Sequence, residues 1–119
     1  MSESWPTALR DIVDRAAAET RELRHGYIGS EHLLLALAGA AETLASQRLE
    51  TAGARYVDVR RLIVGIVGMG AGEIPEGQLL PYTPHSAAVV RRVLAEAARG
   101  DPGDIGSEHV LRAVLRRRG

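Results

Sequence analysis

The chain contains no cysteine, so a disulfide framework, a thiolate metal site and a thiol nucleophile are all excluded. Phenylalanine is also absent and aromatic residues make up only 3% of the chain, although 45% of it is hydrophobic. The core must therefore be built from Leu, Val, Ile and Ala, which suits closely packed helices. Charge of one sign is lacking: 15 basic residues balance 15 acidic ones. A chain-wide field that would draw in nucleic acid or an anionic membrane is excluded. No apolar run approaches the roughly 18 residues needed to cross a bilayer, and the stretch from Met1 to Pro6 lacks the basic and apolar blocks of a signal peptide. A soluble, cytoplasmic protein is expected. No Gly-x-x-x-x-Gly-Lys-[Ser/Thr] motif occurs, so the sequence holds no ATPase module of that type. With 119 residues and 12.8 kDa there is room for one domain and little more.

What is present is a repeat. Gly29-Ser30-Glu31-His32 recurs letter for letter as Gly106-Ser107-Glu108-His109, 77 positions later. Each copy follows an isoleucine and precedes an apolar run. The same offset pairs Val13 with Val90, Arg15 with Arg92, Ala18-Glu19 with Ala95-Glu96, Ile28 with Ile105 and Ala36 with Ala113. Self-similarity of this kind marks one structural unit used twice. Two copies at so long a period fit a pseudo-symmetric single domain better than a solenoid.

Periodicity predicts helices throughout. Leu9, Ile12, Val13, Ala16, Thr20 and Leu23 fall on one helical stripe. After the break at residues 24–29, Ser30 stands where an N-cap belongs. Glu31 follows in the first turn, where the helix dipole favours a carboxylate. Leu33, Leu34, Leu37 and Ala38 are the expected buried face of this second helix. A third is expected over about residues 42–52, stopped by Gly53. A fourth is expected over about residues 55–67, with Val59, Leu62, Ile63, Ile66 and Val67 on one side. Residues 68–81 are rich in Gly and Pro and read as the linker between repeats. The second copy opens at Tyr82-Thr83-Pro84, with Thr83 as cap and Pro84 at the first helical position. A helix to about Arg99, a break at residues 100–104 and a last helix from Ser107 into Arg116-Arg117-Arg118 complete the chain. The expected architecture is all-α. Repeat 1 covers about residues 5–67 and a shorter repeat 2 about residues 82–117 of a single domain, 1–119.

Other polar residues are read more plainly. His32 and His109 are expected to hydrogen-bond near the seam between repeats, and His25 and His85 to lie on the surface. The adjacent Glu-His pairs lack the second His, four residues on, of a zinc-binding helix. No metal or other cofactor is therefore expected. Gly65 to Gly72 has no following Lys, so it reads as linker rather than phosphate cradle. Arg91-Arg92 and residues 116–118 read as solvated charge. Trp5, just before Pro6, is expected to staple the first helix pair.

The repeated Gly-Ser-Glu-His-[Leu/Val]-Leu helix start, with Tyr82-Thr83-Pro84 opening the second copy, resembles the Clp amino-terminal domain. This is the repeat that precedes the ATPase rings of ClpC- and ClpA-type unfoldases. With no ATPase motif present, a stand-alone Clp-N protein is expected rather than an excised domain. The resemblance runs from about Trp5 to Leu115. It implies a helical module without chemistry of its own, which docks substrates, adaptors or peptides and serves proteolysis and the stress response as adaptor or decoy. In ClpC-type proteins the Glu of each motif helps bind phosphoarginine on tagged substrates. The resemblance carries that role to Glu31 and Glu108, with Ser30 and Ser107 beside them. A carboxylate pairs bidentately with a guanidinium, and a helix start receives a phosphate. The sequence departs from the family in ending its second copy before a further helix, and in bearing Ser where Thr is more frequent. The alternative is a small helical hydrolase or stress-resistance enzyme using the Glu-His pairs as acid and base. Against it, neighbouring residues on a helix point about 100° apart, and no nucleophile with a partnered base is visible.

Overall fold

In the computed structural model, which describes residues 4–116, the helices begin and end where local chemistry allows. Helix α1 (Thr7–Leu23) follows Pro6 and stops at Arg24, whose φ of 61° places a non-glycine residue in the left-handed region. The stop is a Schellman turn: His25 N–H donates to Thr20 O (3.0 Å) and Arg24 N–H to Arg21 O (3.1 Å). Helix α2 (Ser30–Gly39) comes next, then α3 (Leu44–Thr51), capped by Thr43, whose hydroxyl accepts from Ser46 N–H at 3.2 Å. Gly53, at φ 85°, closes α3 with the same two-bond turn, Ala54 N–H to Leu49 O (2.8 Å) and Gly53 N–H to Glu50 O (2.9 Å). Helix α4 (Tyr56–Val67) ends at Gly68. Helix α5 (Pro84–Ala98) starts as the sequence predicts, with Pro84 in its first turn and Thr83 Oγ1 accepting from Ser86 N–H at 3.1 Å. A 3-10 turn (Pro102–Asp104) leads into α6 (Ser107–Leu115).

The protein is all-α: among the described residues the only extended pairing is an isolated bridge between Ile28 and Tyr82. Helices α5 and α6 begin 77 positions after α1 and α2, at the offset of the sequence repeat. No described helix is long and apolar enough to cross a membrane.

Helix α2 is the axle of the fold. It packs against α1, α3, α4, α5 and α6, and Leu33, Leu35, Ala36 and Leu37 are fully buried. The one-sided face expected of it is corrected here: Leu35 is enclosed, whereas Leu34 is only partly buried. A helix with neighbours on every side needs no polar face. The reverse holds for α4, where only Val59 and Ile63 are buried, while Leu62 is 62% and Ile66 76% exposed. It packs mainly on α2, so only the residues one turn apart on that side are covered.

The connection over residues 68–81 is irregular, yet it is lashed to the first copy. Gly70 N–H donates to Leu23 O (2.9 Å), Arg21 Nη2 to Gln78 O (2.7 Å) and Ile28 N–H to Pro81 O (2.8 Å). Thr83 N–H (3.1 Å) and the buried Ser86 hydroxyl (2.6 Å) both donate to Ile28 O. The last three residues, with Arg117 and Arg118, lie outside the described ones.

Candidate functional site

Both Gly-Ser-Glu-His motifs build one local device, and it differs from the sequence expectation. The N-caps are Gly29 and Gly106, in extended backbone at φ −100° and −114°; Ser30 and Ser107 are the first helical residues. The glycine has no side chain to cap with, so the histidine three residues on does the work. His32 Nδ1 accepts from Gly29 N–H (2.8 Å), and His109 Nδ1 accepts from Gly106 N–H (2.9 Å). Histidine thus takes the part that Glu or Gln plays in a capping box. The spacing Gly-x-x-His, present twice, was the sequence signal for it.

A motif glutamate lies over each motif glycine. A Cβ on Gly29 would overlap Glu31 Oε1, and one on Gly106 would overlap Glu108 Oε1. Each carboxylate therefore curls back over its own N-cap, and a Cβ there would turn that flexible side-chain end aside. Tyr27 donates to Glu31 Oε2 at 3.2 Å; burial, then the Glu31 charge, raises the Tyr27 pKa and keeps it a donor. The residue one repeat later is Asp104, so Glu108 has no such tyrosine.

Behind the first motif lies a buried chain of hydrogen bonds. His25 is 6% exposed, which corrects the surface position expected of it, and His32 is fully buried. His25 Nε2 lies 2.8 Å from Gly68 O, which can only accept, so that nitrogen carries the proton. His25 Nδ1 is then the acceptor at 2.7 Å from His32 Nε2, which donates. His32 Nδ1 is left to accept from Gly29. Every ring nitrogen is used once, and both rings are neutral. Burial first, and His25 after it, lower the His32 pKa against the opposing pull of Glu31. At the second motif, His109 is 20% exposed and its Nε2 sits 3.8 Å from Glu96 Oε2. His85 is half-buried with Nε2 enclosed, and so is less exposed than expected.

Ser107 and Glu108 face a cleft of about 770 Å³, together with the first half of α1 and the α2–α3 connection. Ser107 Oγ accepts from Ala45 N–H at 3.0 Å and so ties the start of α6 to α3. Asp11, Asp14, Glu42 and Glu108 line the cleft against a single cation, Arg15. That cation is occupied, with Nη2 3.8 Å from Glu42 Oε2 and Nη1 donating to Gly39 O at 3.4 Å. The cleft is thus an anionic trough with apolar walls such as Ile12 and Leu44. Neither Ser30 nor Glu31 lines it, so the two motifs do not converge on one site. The contribution of α1 acids was not legible as a site, because Asp11 and Asp14 read as the polar face of an amphipathic helix.

The model of the Clp repeat (R) N-terminal domain matches residues 6–119. The chain is 33% identical over 116 residues to the chloroplastic chaperone protein ClpC1 of Arabidopsis thaliana, covering 98% of this chain and 12% of that protein. It is likewise 33% identical to the chloroplastic ClpA homolog of the Clp protease ATP-binding subunit in Brassica napus (98% and 13%). The corresponding ClpA homolog of Guillardia theta is 31% identical (98% and 14%). The chain therefore spans about one-eighth of the length of these relatives. With the motif repeated at one offset, each copy starting a helix, and the match running through both, this chain belongs to the Clp repeat (R) N-terminal domain family.

Proposed function

We propose that the chain is a non-catalytic, cytoplasmic binding module of the Clp proteolytic system, acting as adaptor or decoy. Its ligands are guanidinium-bearing segments of substrates, adaptors or peptides, with phosphoarginine-tagged proteins as the sharpest case. The observation behind this reading is the cleft at the second motif, where Glu108 joins Asp11, Asp14 and Glu42 around a single occupied cation. A carboxylate trough with apolar walls suits the delocalised, weakly hydrated charge of an arginine side chain. A phosphate on that side chain would be repelled from the trough floor, so it belongs at the rim, toward the start of α6 beside Ser107. Ser30 and Glu31, at the first motif, are the second station. The two stations belong to one domain in which residues 5–67 and 82–117 are the two copies.

Support for a non-catalytic role comes from the histidines. Both ring nitrogens of His32 are committed to hydrogen bonds in a buried chain, which leaves no lone pair or proton to offer a substrate. An acid–base enzyme built on the first Glu-His pair would need that group.

Calorimetric titration with phosphoarginine, with arginine and phosphoserine as controls, tests the reading. Saturable binding of phosphoarginine is expected, and none of phosphoserine, which has no guanidinium. Glu108→Ala should weaken binding more than Glu31→Ala, because only Glu108 lines the trough, and the double variant should abolish it. Equal binding by wild type and double variant would overturn the site, and turnover of a phosphate or ester substrate lost in His109→Ala would revive the enzyme.

A further inference from the structure

The geometry points to a second, independent docking site: an arginine-lined cleft between α5 and α6 that takes an acidic helical segment of a partner protein. The first copy shows what this groove is for. There α4 lies over it: Tyr56 donates to Glu19 Oε1 at 2.8 Å, and its ring rests against Gly39, where a Cβ would come 3.0 Å from Tyr56 Cδ1. Arg60 of the same helix reaches Glu22 at 3.6 Å.

One repeat later the groove is a cleft of about 280 Å³ with no helix over it among the described residues. Its floor keeps the pattern, with Glu96 in place of Glu19, but three of its walls are changed. Arg112 stands where the fully buried Leu35 stands in the first copy, Arg116 replaces Gly39, and Arg99 replaces Glu22. With Arg92, four arginines line the cleft beside one carboxylate, Glu96, which lies 3.9 Å from Arg112 Nη1 and 3.8 Å from His109 Nε2. Arg92 is half-buried rather than a solvated charge as expected, and its Nη1 is enclosed without a hydrogen bond to any described residue. A groove shaped for a helix, with the sign at the Arg60 contact reversed, selects an occupant that presents carboxylates where α4 presents arginine. Planar guanidinium forks bind carboxylates bidentately, and several converging forks add selectivity.

The test is fluorescence anisotropy of a labelled hexaglutamate peptide at low salt, with hexaglutamine as control and inorganic phosphate as competitor. Saturable, salt-sensitive binding is expected for hexaglutamate only. Loss of two converging forks in Arg112→Glu/Arg116→Glu should weaken it at least about tenfold. The same charge change at exposed positions elsewhere, Arg48→Glu/Arg61→Glu, should leave binding within about twofold. Arg112→Gln/Arg116→Gln, which adds no repulsion, should fall between. Absence of binding would overturn the proposal. Equal weakening in the two charge-reversed variants would reduce it to a diffuse field, and binding of phosphate without peptide would reduce it to a small-anion site. None of these outcomes depends on Glu108 or the anionic trough.

Discussion

His32 is the residue on which the first motif turns, because its neutral ring is the middle link between Gly29, His25 and Gly68. A third proton has no place in that chain: on His32 Nδ1 it would meet Gly29 N–H, and on His25 Nδ1 it would meet His32 Nε2–H. The groups facing the pair are Tyr27, Glu31, the Gly29 amide and the Gly68 carbonyl. The folded pKa of His32 lies below its ordinary value of 6.5. Above that value the ring is neutral in both states and costs nothing. Below it the unfolded chain binds a proton that the folded chain refuses, so stability falls as pH drops from 6.5 toward the folded pKa. Urea unfolding at several pH values above the carboxylate range should show this slope. His32→Ala should flatten it while lowering stability at neutral pH by about 2–4 kcal/mol, through the cavity and the unpaired Gly29 amide. A wild-type slope that survives in His32→Ala would place the titration elsewhere.

Among the elements, the connection over residues 68–81 shows why composition misleads. Its glycines read as a flexible linker, yet Gly70 is pressed so closely against the Arg24 carbonyl that a Cβ would overlap its oxygen. Gly72, two residues on, has open space around its Cβ position. Gly70→Ala is therefore expected to destabilise the fold by about 1–3 kcal/mol, while Gly72→Ala changes it little. Equal melting temperatures for the two variants would mean that the strap gives way without cost. The same comparison applies to the helix caps. Thr83 and Gly53 act as the sequence predicts, because cap and stop are chosen by residues within one turn. Ser30 and Ser107 do not cap, because the extended residue before each helix is the glycine and the serine already has helical backbone.

For the whole molecule, stability should be graded by how many sides of each helix are covered. Helix α2 is enclosed by five others, whereas α4 holds through Val59, Ile63, the Tyr56–Glu19 bond and one exposed ion pair to Glu22. Amide exchange should therefore be slowest in α2 and fastest, among the helices of the first copy, in the last turns of α4. Uniform protection across both would show that the domain opens only as a unit.

The sequence by itself determined the all-α class, the repeated motif at one offset, and the caps at Thr83 and Gly53. These follow from period and from contacts within a turn or two, which any stretch of chain carries with it. Only the tertiary structure decided which motif faces a cleft, that His25 and His32 are hydrogen-bonded in the core, and that the α5–α6 groove is lined by arginine. Each of these depends on residues far apart in sequence: Asp11 and Asp14 beside Glu108, Gly68 beside His25, Arg92 and Arg99 beside Arg112 and Arg116. Periodicity tells which face of a helix is polar. It is blind to which other helix that face will meet.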